Sequence, residues 1–247
     1  MRAAFFDIDG TIYREGLITE LFKKLITHEL TDAKNWYDDV KPAFMKWDTR
    51  RGEYDDYLEK MVAVYVNSIK GINKVYIDFI AQKVIEQKGD RVYTFTRDRI
   101  KSHQKNGDMV IAISGSPAAL VSKMAKKYNF DDYRATQYCI DENNCFTGET
   151  IPMWDSVSKR KAVLEIAKHE HLNLDDCYAY GDTIGDFDML KLVGHPYAIN
   201  PTATLLKTIL ADKEVAQKTT VIVERKDMIY HIPIEQLFTA KALPEIE

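Results

Sequence analysis

The chain has few of the features that would force an unusual architecture. Only three cysteines occur in 247 residues, Cys139, Cys145 and Cys177, and no pair has CxxC spacing. An odd count of this kind argues against a disulfide framework. Cys139 and Cys145 flank a turn-like stretch, which leaves one bridge across a hairpin open, but reduced thiols in a cytoplasm are the expected state. No run of about 18 apolar residues is present, which excludes a membrane-spanning helix. The N-terminal MRAAFFDIDG reaches two acids within ten residues and lacks the apolar centre of a secretory signal. Basic excess is absent too. A net charge of −4 gives no field for wrapping DNA or RNA. Internal repeats and low-complexity tracts are likewise missing.

What is present reads as an ordinary globular balance, 45% hydrophobic and 29% charged. The length suits one large domain, or one domain carrying a smaller insert. Ala3 to Ile8 is a short apolar run that stops at acid and glycine, the pattern of a buried strand feeding a turn. From about Leu17 to Gln87 the spacing turns helical, in LITELFKKLI, YLEKMVAVYVNSI and VYIDFIAQKVIEQ. This predicts a helical insert of roughly 70 residues, the scale of a small domain. Strand and helix then alternate. Met109 to Ser114 reads as a strand, Ser116-Pro117 as a helix start, and Ala135 to Ile140 with Cys145 to Thr150 as a hairpin. Lys159 to His169 reads as a helix and Cys177 to Tyr180 as a strand. Such alternation implies an α/β fold with a parallel sheet covered on both faces and a ligand at the carboxyl ends of its strands.

Four segments carry the chemistry. In Asp7-Ile8-Asp9-Gly10-Thr11, two carboxylates one residue apart follow the first strand, and Gly10 lets the backbone turn and offer N–H groups to an anion. Asp7 is placed to attack phosphorus, and Asp9 to protonate a leaving oxygen and then activate water. Ser114-Gly115 ends the second strand, where a hydroxyl and an amide can hold a phosphate oxygen. Lys159, or Lys161 beside it, opens a helix and can neutralise phosphate. Asp182 and Asp186, four residues apart after another strand, suit Mg²⁺, which takes few carboxylates and keeps several waters. Singly, each segment has a plainer use as a turn, a helix cap or a solvated face. Together and in this order they supply a nucleophile, oxyanion donors, a countercharge and a metal site, the parts that phosphoryl transfer needs.

In content and order these segments resemble the haloacid dehalogenase (HAD) superfamily of phosphohydrolases, and within it the phosphoserine phosphatase-like subfamily IB. DIDGT is similar to the family's DxDGT, AISGSP to its second motif, Lys159 to its third and YGDTIGDFDML to its fourth, and the stretch from Val193 to Pro201 resembles the subfamily's tail. The resemblance implies a Rossmann-like HAD core, residues 1–14 and 88–247, with its parallel sheet flanked by helices, and an all-helical cap domain over residues 15–87. It implies a Mg²⁺ held by Asp7, the backbone carbonyl of Asp9, and Asp182. Gly10, Thr11, Ser114, Gly115 and Lys159 would surround the phosphate, with Asp186 orienting the lysine or a water. Dehalogenases of the superfamily lack an acid at the Asp9 position, and P-type pumps need membrane helices.

The cap is expected to choose the leaving group. Gly10 stands where the subfamily's phosphoserine phosphatases carry a serine, and Gly16 where they carry a substrate-binding glutamate, with Glu15 one residue away. Arg50 and Arg51 are candidates for a carboxylate or second phosphate, and Tyr13, Phe44 and Trp47 for the pocket wall. Each also has an ordinary use, as helix-end cation or cap core. The expected function is a Mg²⁺-dependent phosphatase acting on a small-molecule phosphomonoester. A phosphomutase and a phospho-acceptor domain are the alternatives. No nucleic-acid or membrane partner is expected, and the chain is read as a cytoplasmic monomer or homodimer.

Overall fold

The computed structural model describes residues 1–233 and residue 237. Its strands are β1 (Ala3–Phe6), β2 (Met109–Pro117), β3 (Asp132–Ile140), β4 (Phe146–Ile151), β5 (Tyr178–Gly181), β6 (His195–Ile199), β7 (Thr220–Arg225) and β8 (Met228–Ile232). They form one sheet in the order β4-β3-β2-β1-β5-β6-β7-β8. The six central strands run parallel, and β4 and β8 add antiparallel edges.

Period-two alternation sends the residues of β1 into two cores. Ala4 and Phe6 pack on one side with Val110, Ala112 and Tyr180. Ala3 and Phe5 pack on the other with Ile111, Ile113 and Ala179. The first side is covered by helices α5 (Thr94–Asn106) and α6 (Ala118–Lys127), the second by α7 (Ser156–His169), α8 (Phe187–Leu192), α9 (Ala203–Ala211) and α10 (Lys213–Lys218). This is the α/β architecture that the alternation predicts.

Between β1 and α5 lie α1 (Leu17–Thr27), α2 (Lys41–Asp48), α3 (Tyr54–Ile69) and α4 (Lys74–Lys88), with a wide π-type turn at Asn35–Val40. Residues at helical spacing face inward: Leu17, Leu21 and Leu25 on α1, and Tyr57, Met61 and Tyr65 on α3. They join Phe6, Val110 and Leu120 in one continuous cluster, so the insert shares its core with the sheet. Its α3–α4 connection is also tied to the β3–β4 hairpin, through Gly71 N–H to the Phe146 carbonyl (2.8 Å), Phe146 N–H to Ile72 (3.0 Å) and Lys74 N–H to Asn144 (2.8 Å).

Two of the sequence-derived boundaries that move bear on the site. The second strand continues to Pro117, so Ser116 and Pro117 end β2 rather than opening a helix, and α6 has no side-chain cap. Helix α7 starts at Ser156, three residues early, because Asp155 caps it by accepting from Ser158 N–H at 2.8 Å. All three cysteines are free, so the hairpin carries no bridge. Among the described residues no helix is long and apolar enough to cross a membrane.

A shared core predicts shared unfolding. Truncating Phe22, fully buried on α1, should cost about 3–5 kcal/mol as Phe22→Ala. Urea unfolding followed by tryptophan fluorescence (Trp36 and Trp47 report on the insert) should coincide with far-UV circular dichroism in both proteins. Two separated transitions would show that the insert folds on its own.

Candidate active site

Strands β1, β2 and β5 end side by side, and each delivers a polar residue at its carboxyl end. Asp7 follows β1, its N–H donating to the Tyr180 carbonyl of β5 at 2.9 Å. The chain then turns tightly: Ile12 N–H and Tyr13 N–H both donate to the Ile8 carbonyl, and Gly10 N–H donates to Tyr13 at 2.8 Å. Gly10 has φ +83°, and a Cβ there would lie 2.0 Å from Asp182 Oδ2. A glycine is required both for the left-handed backbone and for the approach of Asp182. Thr11, fully buried, donates its hydroxyl to Asp182 Oδ1 at 2.9 Å. The sequence reading assigns Gly10 and Thr11 to phosphate. In the structure the Gly10 amide closes the turn and the Thr11 hydroxyl anchors Asp182.

Lys159 occupies the first turn of α7 and is 3% exposed. Its ammonium lies 2.6 Å from Asp7 Oδ1 and 2.6 Å from Asp186 Oδ1. Lys161 points to solvent with its side chain 78% exposed, so helix phase decides between the two lysines. The second oxygen of Asp186 accepts from the amides of Asp182 (3.0 Å) and Thr183 (3.1 Å). Asp186 thus fixes the loop after β5 and the lysine together.

The Asp9 carboxylate points elsewhere. Oδ1 accepts from Leu17 N–H at 2.7 Å, at the start of α1, and Oδ2 accepts from the Ser116 hydroxyl. Ser116 is a cavity residue whose contact with Asp9 the sequence reading missed. The signal was its spacing: in an extended strand, residues two apart share a face. Ser114 is fully buried, and its oxygen accepts from Ser116 N–H at 3.1 Å. Gly115 and Ser116, not Ser114, reach the cavity wall.

Asp7, Asp182 and Asp186 each bring an oxygen within 4.8 Å of the others. One ammonium serves three buried carboxylates. Burial raises Asp7 to about 8, with the Asp186 and Asp9 charges adding to it and Lys159 opposing. Burial also raises Asp182 well above the usual carboxylate range, followed by the charges of Asp7 and Asp186. Burial works against the Lys159 charge, but Asp186 and Asp7 outweigh it and hold the ammonium protonated. An all-oxygen donor set with surplus negative charge fits a hard divalent cation.

Asp7, Asp9 and Lys159 floor a cavity of about 590 Å³, with Gly115, Ser116 and Trp154 beside them and α3 opposite. Tyr54 lines it. Phe44 and Trp47 pack behind, against Tyr57, with the Trp47 and Tyr57 rings stacked at 5.6 Å. Tyr13 is fully buried beneath. The three substrate candidates lie outside. Glu15 is exposed and paired with Arg91 at 2.7 Å. Arg50, in the left-handed region at φ +61°, ends α2 and turns back over the Trp47 ring. Arg51 is exposed. None of them lines the cavity.

A model of the haloacid dehalogenase-like hydrolase family matches residues 4–191. The chain belongs to this family. Phosphoserine phosphatase SerB1 of Mycobacterium tuberculosis is 32% identical over 209 residues, covering 82% of this chain and 66% of that protein. A solved protein of unknown function from Bordetella pertussis Tohama I shares the fold at a TM-score of 0.69 and 17% identity, over 85% of this chain and 95% of that one. A substrate-bound phosphoserine phosphatase shares it at 0.60 and 20% identity, over 96% of each. The HAD protein is thus an enzyme, a hydrolase of the phosphatase type.

The carboxylate surplus predicts a pH-dependent response to Mg²⁺. Native Asp7 binds its proton more tightly than the unfolded chain does, so its contribution to metal-free stability is lost as pH rises towards about 8. A cation that needs the ionised form stabilises more where the proton is already weak. The gain in melting temperature on adding Mg²⁺ should be larger at pH 8 than at pH 6. Equal gains at both would remove the raised carboxylates from the account.

Proposed function

We propose that the protein is a Mg²⁺-dependent phosphatase that hydrolyses a small-molecule phosphomonoester through an aspartyl-phosphate on Asp7. One observation carries the reading: a buried acid and a half-buried one open on the same cavity, the first paired with an ammonium and the second with a hydroxyl and an amide. Environments this different suit a nucleophile and an acid–base group.

Lys159 engages Asp7 Oδ1, which leaves Oδ2 to attack phosphorus. The bond from phosphorus to the leaving oxygen breaks as the Asp7–phosphorus bond forms. Asp9, raised first by burial, holds a proton to give that oxygen, while its bonds from Ser116 and Leu17 pull the other way. As carboxylate it then takes a proton from water, whose oxygen displaces Asp7 and releases orthophosphate. At the end of β2 the Gly115 amide, at the cavity wall, is the proposed phosphate contact, and the Ser114 hydroxyl, buried behind it, holds the Ser116 amide in place. Mg²⁺, held by Asp7, the Asp9 carbonyl and Asp182, would supply positive charge that keeps Asp7 ionised and offsets phosphate. Residues 15–87 act as the cap that closes this cavity and selects the ester, on a core of residues 1–14 and 88–247, of which 234–236 and 238–247 lie outside the described residues. Three free thiols support a reducing, cytoplasmic setting.

Phosphate release from p-nitrophenyl phosphate with Mg²⁺ tests the assignment. Asp7→Asn should lower kcat by at least about a thousandfold. Asp9→Asn should lower it about 10²–10⁴-fold and let phosphoenzyme accumulate. Turnover retained in Asp7→Asn would end the proposal.

The lysine makes a separate point about stability. Lys159→Ala removes the ammonium that Asp7 and Asp186 share and should cost about 3–5 kcal/mol in metal-free protein. Lys161→Ala should stay within about 0.5 kcal/mol. Urea denaturation of both variants reads the difference directly, and equal losses would contradict the placement of Lys159.

A further inference from the structure

Resting on the phosphatase reading, we infer that the leaving group is an organic cation, an alcohol bearing an amine, ammonium or imidazolium and no carboxylate, met by Asp55 and Glu59 beside the aromatic rings of Tyr54 and Trp154. Helix α3 forms the cavity wall opposite Asp7. At helical spacing it presents Tyr54, Asp55, Leu58, Glu59 and Val62 to the space. Two of these are acids and none is basic.

The only cation lining the cavity among the described residues is Lys159, and Asp7 and Asp186 already hold it. An ester whose leaving group carries a carboxylate would meet two like charges here with no arginine to offset them. An ester carrying a cation would find two carboxylates at the cavity wall. Acid crowding points the same way. After burial, the charges of Glu53, Asp56 and Glu59 raise the Asp55 carboxyl, a repulsion that a bound cation relieves.

Independent support comes from the aromatic side. Trp154 is seated by close backbone approach: a Cβ at Gly115 would lie 2.8 Å from the Trp154 Cβ, and one at Gly185 would lie 2.5 Å from its carbonyl oxygen. Side chains at either position would push the indole from the cavity edge. Across from it, the Tyr54 hydroxyl lies 3.7 Å from where a Cβ at Gly16 would be. The tyrosine takes the space beside Gly16, and Asp55 and Glu59 follow further along α3. Aromatic faces together with carboxylates are recognition elements for organic cations.

The test compares kcat/KM for phosphate release from phosphoethanolamine and phosphocholine with that from phosphoserine and glycerol 3-phosphate. p-Nitrophenyl phosphate reads the chemistry alone. The cationic esters should lead by about tenfold. The Asp55→Asn/Glu59→Gln double variant should reduce that ratio at least about fivefold, the scale of two partly solvated charge pairs. Glu59→Arg should shift preference towards phosphoserine. Both acids are exposed on α3, so the variants are expected to fold. A ratio unchanged in the double variant would overturn the inference. So would a lead for phosphoserine that Arg51→Ala abolishes. Release from p-nitrophenyl phosphate alongside either result would leave the phosphatase reading standing. No release from any ester would overturn both.

Discussion

The ammonium of Lys159, enclosed between Asp7 and Asp186, is the contact on which the rest of the site depends. It joins the end of β1, the first turn of α7 and the loop after β5. Burying such a group is expensive, and a buried ion pair is not an efficient source of stability. Here one ammonium faces three carboxyl groups, because Asp182 joins the pair, and burial makes Asp7 and Asp182 hold their protons more tightly. An apolar arrangement of similar volume would serve folding better. A cluster that works against its own fold and faces a cavity is best understood as built for a ligand set that brings positive charge with it.

The sheet explains how residues so far apart in sequence meet. A parallel sheet sends all its carboxyl ends to one edge, and β2, β1 and β5 are neighbours there. Apolar side chains on both faces hold the strands in place, which leaves each strand end as the first point where a polar group can emerge. The turn after β1 then packs directly on Asp182 because Gly10 has no side chain, and Thr11 secures the contact from below. Each local choice serves the same meeting point.

This geometry also decides what was legible in the sequence. Asp7, Asp182 and the Ser114-Gly115 pair stand out because each follows an apolar run, and a strand end is a position that sequence can locate. Choosing Lys159 over Lys161 needed the phase of α7, which depends on packing against β2 and α8. Ser116 was misread because the proline after it imitates a helix start, although β2 in fact continues through both. The wall of the cavity was least legible. Glu15, Arg50 and Arg51 suggested themselves by residue type, but Glu15 pairs with Arg91 and Arg50 folds back on Trp47. Asp55 and Glu59 drew no reading from the sequence, and the packing of α3 against α1, α2 and β4 turns them towards the cavity that holds Asp7. The short elements α2, α9, α10 and β8 gave too little periodic signal to be drawn at all.

Asp9 shows how the insert and the chemistry are joined. The first turn of a helix has amides without partners inside the helix, and Gly16, before α1, has no side chain to satisfy them. The Asp9 carboxylate does so instead, through Leu17 N–H, while Ser116 holds its other oxygen from β2. The acid therefore caps the first helix of the insert. The proposed hydrolysis asks this residue for opposite states in its two steps, protonated to release the alcohol and ionised to activate water. Burial favours the first state, and the two donors favour the second. Neither influence alone suits both steps. Because one of the donors belongs to α1, displacement of that helix would change the acid strength of Asp9 as well as the access of water. The seat of α1 and the protonation of Asp9 are linked through that one hydrogen bond.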